Sequence, residues 1–352
     1  MRLSAVDLFC GAGGLSLGLK RAKVKVVAGF DIDNRCKYPY RSNIKARFFE
    51  QDVRTVTGDQ LTRLWVPGTV RVLAGCAPCQ PFSSHRRGAD TSKDDAWPLL
   101  DEFGRLVKET KPELVTMENV PRILKVAVFH RFVKTLTDLD YAVDYRSSLC
   151  AEYGLPQMRR RLVLVASRIG PIEIPAPTTK PGDFATVRGA LAGLPPLESG
   201  QRDSADPLHA SRTLSPTNLR RVRASNPGGT WRDWPEELRA PCHRKETGNS
   251  FASVYARMEW DKPSPTITTE FHNFGSGRFG HPEQDRALTL REGAILQGFP
   301  RDYKFVAPAE KTELEPMARL IGNAVPPPVG QAIGQTLVEC AARYVTNANP
   351  SC

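Results

Sequence analysis

The residues best equipped for chemistry stand in Gly75-Cys76-Ala77-Pro78-Cys79-Gln80-Pro81-Phe82-Ser83, a proline-dense stretch that follows an apolar run. A thiolate is a good nucleophile, but a free thiol with a pKa of ~8.5 holds little of it at neutral pH, so neighbours decide whether either cysteine acts. Cys76 and Cys79 form a Cys-x-x-Cys whose bland readings are half a zinc site or a redox pair; no second Cys-x-x-Cys or close His pair accompanies it. Pro78 and Pro81 flank Cys79 closely and point to rigid presentation of that one thiol, leaving Cys76 dispensable. Further along, Glu118-Asn119-Val120 ends the apolar run Leu114 to Met117, so a carboxyl group is expected at a strand end opening onto the same crevice.

A second constellation is Asp7-Leu8-Phe9-Cys10-Gly11-Ala12-Gly13-Gly14. Its glycines let backbone approach a ligand closely, and the helical stretch that follows turns its N-terminus toward it. The spacing is not the dinucleotide fingerprint, which has a later third glycine, and such a turn also occurs as plain structure. Asp31 ends the next apolar run, where a carboxylate can accept from a ribose diol, and Asp52 lies at a third run's end, placed for an adenine edge. Alone, either is a solvated turn residue. Three such ends meeting at one crevice favour a nucleoside cofactor.

These groups need a scaffold that brings strand ends together. Ala5 to Phe9, Val24 to Ala28, Val70 to Ala74, Leu114 to Met117 and Leu162 to Ala166 read as strands with amphipathic segments between several of them, and Tyr141 to Leu149 with Leu162 to Ala166 as a late pair. Apolar positions 99, 100, 103, 106 and 107 keep helical spacing, closed by Lys111-Pro112. The pattern predicts an α/β fold, a mostly parallel sheet with helices on both faces. Prolines crowd residues 171–200, residues 185–285 lack sustained periodicity, and Val329, Ile333, Leu337, Cys340, Ala341 and Tyr344 recover helical spacing. The expected division is a catalytic domain of 1–180 and 286–352 with a smaller loop-rich domain of 181–285.

The 352 residues carry 49 basic and 38 acidic side chains, a net charge of +11, which makes a polyanion the first partner to consider: nucleic acid before an anionic membrane surface. With 40% apolar and 25% charged residues the composition is that of a globular protein. No signal-peptide pattern or spanning run is visible, and the eight cysteines are irregularly spaced, so a cytoplasmic protein without a disulfide framework is expected.

At this point a resemblance emerges. Asp7 to Gly14, Pro78-Cys79-Gln80, Glu118-Asn119-Val120, Gln157-Met158-Arg159-Arg160-Arg161 and Gly322-Asn323-Ala324-Val325-Pro326-Pro327 stand in the order found in DNA (cytosine-5) methyltransferases of the bacterial type. Lys262 to Ile267 and Arg286 to Pro300 are similar to that family's late segments, so the resemblance spans almost the whole chain. It implies a Rossmann-like S-adenosylmethionine-binding fold with a separate target-recognition domain in 181–285. It implies methyl transfer to carbon 5 of a flipped-out cytosine in a specific duplex DNA sequence, through a covalent Cys79 adduct. Glu118 and Arg161 would serve the base, with Arg159 and Asn119 beside them.

The resemblance further places S-adenosylmethionine at Phe9, Gly11, Ala12, Gly13, Gly14, Asp31, Ile32, Asp52 and Val53, with Pro78, Leu99, Asn323 and Val325 at the rim, and no metal. Asp31-Ile32-Asp33 departs from the family's commoner Glu-Trp-Asp, leaving adenine stacking to Ile32. DNA contacts are expected from Ser83, Arg86 and Arg87 in a clamp loop running to Asp95, and from Arg220, Arg221, Arg223 and Thr266. The expected partners are double-stranded DNA and a companion restriction endonuclease, with the methyltransferase itself a monomer. Competing readings are a transfer RNA cytosine-5 methyltransferase, a catalytically silent DNA-binding protein of this fold, and a dinucleotide oxidoreductase disfavoured by its missing glycine spacing.

Overall fold

A computed structural model describes residues 2–78, 98–245 and 252–348, which form two compact units. The first comprises Met1–Tyr153, Arg160–Thr178 and Val325–Cys352; the second comprises Gly154–Arg159 and Thr179–Ala324.

The first unit is built on a seven-stranded sheet of order β3-β2-β1-β4-β5-β7-β6. The strands are β1 (Leu3–Leu8), β2 (Lys25–Asp31), β3 (Arg47–Glu50), β4 (Val70–Gly75), β5 (Leu114–Asn119), β6 (Ala142–Leu149) and β7 (Arg160–Ser167). β1 to β5 run parallel, whereas β7 pairs antiparallel with both β5 and β6. The sheet is the mostly parallel one that the alternating pattern predicts. β1 and β5 are buried at every position, as strands covered on both faces must be. The helices Pro98–Thr110 and Ala127–Thr137 bury Phe103, Leu106, Phe129 and Phe132 in one core with Val6, Leu73, Val115 and Leu164. Elsewhere helix α1 (Gly14–Arg21) packs on the helix Pro327–Ala348. There a Cβ added to Gly18 would lie 2.4 Å from the backbone of Gly330 and Gln331, so glycine is required for that approach.

The second unit contains no strand among its described residues, only short helices and isolated bridges. Irregular backbone must still satisfy its carbonyl groups, and buried arginines do much of this. Arg257 donates to the carbonyls of Val222, Ser225, His281 and Gln284. Beside a cluster of Val222, Trp231, Trp234, Leu238 and Phe274, this knits a chain without periodicity into a core.

Sequence texture places the return to the first unit at 286; packing places it at Val325. The reason lies in close contacts: a Cβ on Gly293 would meet the Phe271 ring at 2.1 Å, and one on Gly322 would meet the Thr268 carbonyl at 2.4 Å. Residues 154–159, expected with the first unit, are likewise woven into the second, since Gln157 donates to the Leu296 carbonyl and its own Oε1 accepts from the Ile267 amide.

Arg286 and Glu292 form a fully buried two-point ion pair at 2.8 and 2.7 Å, and Glu292 also closes the capping box of the helix Leu290–Leu296. Burial alone would raise the carboxyl pKa, but the Arg286 hydrogen bonds and charge overcome it and hold it at about 2. The pair's stabilisation is therefore present above the ordinary glutamate range and lost as pH falls toward 2. Arg286→Ala leaves a buried charge without its partner and is expected to destabilise the protein by about 3–5 kcal/mol in urea unfolding at neutral pH. A change below about 1 kcal/mol would show that the site relaxes open to water.

Candidate active site

Parallel strands place their carboxyl ends along one edge of the sheet, and the register aligns them here: Leu8 lies opposite Phe30 and Gly75, Asp31 opposite Glu50, and Gly75 opposite Met117. The glycine loop after β1, Asp31, the turn after β3, Cys76 and Glu118 therefore share that edge. The order changes direction between β1 and β4, the point at which open α/β sheets bind ligands.

The loop after β1 takes a sharp course, with Phe9 at φ 56°, Gly11 at 52° and Gly13 at 91°. A Cβ on Gly11 would meet no atom of the described residues within 4 Å, so this glycine serves the left-handed backbone, with open space among the described residues before the loop. Asp31 fixes the loop from the next strand: its Oδ2 accepts the Gly11 amide at 2.9 Å and its Oδ1 the Asp33 amide at 2.9 Å. A carboxylate offers about four acceptor sites, more than these amides fill. Burial raises the Asp31 pKa against the pull of these amides.

Ile32 is 69% exposed, an apolar side chain held out to solvent beside that carboxylate. Asp52 instead caps the turn Val53–Thr55 and pairs with Arg54 through both carboxylate oxygens, which lowers its pKa, and the Val53 side chain is buried in the core. Ala12 and Gly14 are buried at the start of α1.

Sequence reading missed the support beneath this loop. Asp7 is buried, and Ser16 Oγ donates to its Oδ2 at 2.6 Å, with the Tyr40 hydroxyl 2.8 Å from the same Oγ. Burial pushes the Asp7 carboxyl up to about 7 against the Ser16 hydrogen bond. The only signal in the sequence is a carboxylate inside a strand that is otherwise suited to the core.

Glu118, 3% exposed at the end of β5, receives the Cys76 thiol on Oε2 at 3.1 Å and faces Arg161 Nε across 3.2 Å at Oε1. Arg161 arrives there because β7 runs antiparallel and Asn119 pairs with Leu162. Asn119 Nδ2 donates to the Ala77 carbonyl at 3.1 Å, which ties the end of β5 to the segment after β4. A half-exposed thiol, a buried carboxyl and a guanidinium thus meet at one strand end. Such a group can hold and orient a small polar ring.

The remaining expected residues have other surroundings. Arg159 is buried in the second unit and donates to the carbonyls of Ile267 and Gly322, both at 2.9 Å. Arg220 and Arg223 are exposed on the helix Pro216–Arg223, Arg223 pairing with Asp285, whereas Arg221 turns inward to the Leu238 carbonyl and stacks over Trp234 and Tyr255. Thr266 donates to the Met158 carbonyl at 3.2 Å. Pro78 and Asn323 are exposed, Leu99 is half-buried and Val325 is buried. Cys79, Ser83, Arg86, Arg87 and the rest of the expected clamp loop through Asp95 lie outside the described residues.

Residues 3–339 match the model of the C-5 cytosine-specific DNA methylases, and the chain belongs to that family. It is a DNA (cytosine-5) methyltransferase. Among its relatives, the type II methylase M.HgiDII of Herpetosiphon aurantiacus is 46% identical over 337 residues, 95% of this chain and 94% of that protein. The type II methyltransferase M1.HphI of Haemophilus parahaemolyticus is 33% identical across 96% of this chain and 87% of its own length. In fold, the chain superimposes with a TM-score of 0.71 on an E. coli prophage-encoded protein described as a DNA modification methyltransferase, at 22% identity over 97% of this chain and 99% of the other. No helix among the described residues is long and apolar enough to cross a membrane.

Proposed function

We propose that the protein methylates carbon 5 of a cytosine extruded from duplex DNA, using S-adenosylmethionine, as the modification component of a restriction-modification system. The observation that carries this reading is the Cys76–Glu118–Arg161 cluster at the end of β5, on the same sheet edge as the glycine loop. The open space before Gly11, the lone pairs of Asp31 and the exposed Ile32 suit a nucleoside with a ribose diol and a flat base. The bound cofactor supplies an electrophilic methyl group.

This chain's residues would do the rest. Carbon 5 of cytosine is a weak nucleophile, so the Cys79 thiolate adds to carbon 6 and makes carbon 5 enamine-like. Glu118 steadies the ring-nitrogen edge and Arg161 the ring carbonyl oxygen as charge develops. Asn119, pinned to Ala77, holds the Glu118 turn in place. Bringing the target out of the stack costs a few kcal/mol, offset by contacts from the clamp loop and from a target-recognition segment spanning 181–285.

Incubation of the full chain with labelled S-adenosylmethionine and either unmethylated duplex DNA or transfer RNA tests the reading. Label in duplex DNA is expected; label in transfer RNA alone would move the protein to the RNA-modifying class, and no label in either would leave a silent DNA-binding protein. Asp31→Ala removes both the loop tie and the ribose acceptor, and is expected to weaken cofactor binding by about 1.5–3 kcal/mol in calorimetry, with a smaller effect on DNA affinity. Unchanged cofactor affinity would assign the ribose to other residues.

A further inference from the structure

Glu118 is held unevenly. Its Oε2 accepts the Cys76 thiol at 3.1 Å, while its Oε1, buried and 3.2 Å from Arg161 Nε as an ion pair, accepts no hydrogen bond from the described residues. A buried carboxylate oxygen without a donor lowers stability, and it persists where something else makes use of it. One residue along, Asn119 Nδ2 donates to Ala77, so two successive residues at the end of β5 are tied to two successive residues after β4. The thiol is a weak donor, strong enough to orient a carboxylate yet slight in its demand on the acceptor's charge.

We propose that Cys76 is a positioning residue for Glu118: its thiol holds Oε2, so that Oε1 keeps its capacity for the amino group or protonated ring nitrogen of the target cytosine. This rests on the reading that Glu118 meets the base. It also gives Cys76 a part that its place beside a better-flanked cysteine conceals in the sequence. Arg161 neutralises the carboxylate from the β7 side, and the thiol sets its plane from the β4 side.

The test compares Cys76→Ser, Cys76→Ala and Cys76→Val in the full chain with wild type, on duplex DNA containing its mapped methylation site. Three quantities are read: single-turnover methyl transfer, the Kd for DNA, and the unfolding midpoint. A positioning role predicts Ser within about threefold of wild type, and Ala and Val slower by roughly ten- to a hundredfold with DNA affinity unchanged. A packing role predicts the reverse order, with Val or Ala at the wild-type rate and Ser worst, and would overturn the proposal. Cys76→Ala is also placed in a Glu118→Gln background. If the thiol acts through Glu118, the second change adds little there; a full additional loss would refute that route even where a single variant is poorly folded. Wild type that transfers no methyl group to duplex DNA overturns the reading of Glu118 itself, a result distinct from a working wild type indifferent to Cys76.

Discussion

Cys79→Ala is expected to abolish methyl transfer while leaving the protein folded and able to bind duplex DNA. The substitution removes the single proposed nucleophile, and without addition at carbon 6 the ring has no route to an activated carbon 5. The loss should be on the order of 10⁴-fold or more, the scale seen when a covalent catalyst loses its attacking atom. On duplex DNA carrying 5-fluorocytosine at the target, loss of the carbon 5 proton is blocked. Wild type should therefore form an adduct that survives denaturing electrophoresis, and Cys79→Ala should form none. An adduct in the variant, or its absence from wild type under methylating conditions, would refute the covalent route. Cys76→Ala should still form the adduct, more slowly.

The second large effect concerns sequence choice. Phosphate contacts position a protein on DNA without reading it, whereas base-edge contacts distinguish pairs by ~1–3 kcal/mol each. Exchanging residues 186–285 for the equivalent segment of a related enzyme is expected to move the methylated motif completely while the chemistry continues. Because Phe271 packs on Gly293, which stays with the host, the donor segment must supply at the Phe271 position a side chain that fits against that glycine for the chimera to fold. Methylome sequencing reads the outcome; an active chimera that keeps the original motif would place recognition elsewhere. Arg220→Ala with Arg223→Ala, sparing the inward-turned Arg221, should flatten the salt dependence of binding if the two meet phosphates.

The first unit was largely legible because its physics is local. β1, β4 and β5 are mostly apolar runs, and the helix Pro98–Thr110 stops at Lys111-Pro112, where the periodicity ends. β3 was harder: Arg47-Phe48-Phe49-Glu50 is a short edge strand with charged ends, and only the position of Asp52 hinted at it. The second unit resisted because its order comes from contacts distant in sequence. An arginine in an aperiodic stretch reads alike whether it faces DNA or, like Arg159 and Arg221, the carbonyl of a distant residue. At the candidate site, residue types pointed to Glu118 and Arg161, which the structure brings together, but the Cys76 hydrogen bond depends on the β4–β5 register, which is set by pairing rather than composition.

The glycine crossing between α1 and the helix Pro327–Ala348 bears on the order in which a nascent chain can mature. When residues 1–178 have left the ribosome, α1 still lacks the helix that covers it, which begins about 150 residues later. Thr179–Ala324, almost the whole second unit, emerges in between and needs only Gly154–Arg159 from what came before. The inserted unit can therefore close while its host is still open, and the helix behind the glycine loop gains its partner only near the end of synthesis. Support of the glycine loop is consequently completed late in the life of each chain, and a chain truncated before Pro327 would carry all residues of the second unit together with an unfinished glycine-loop support.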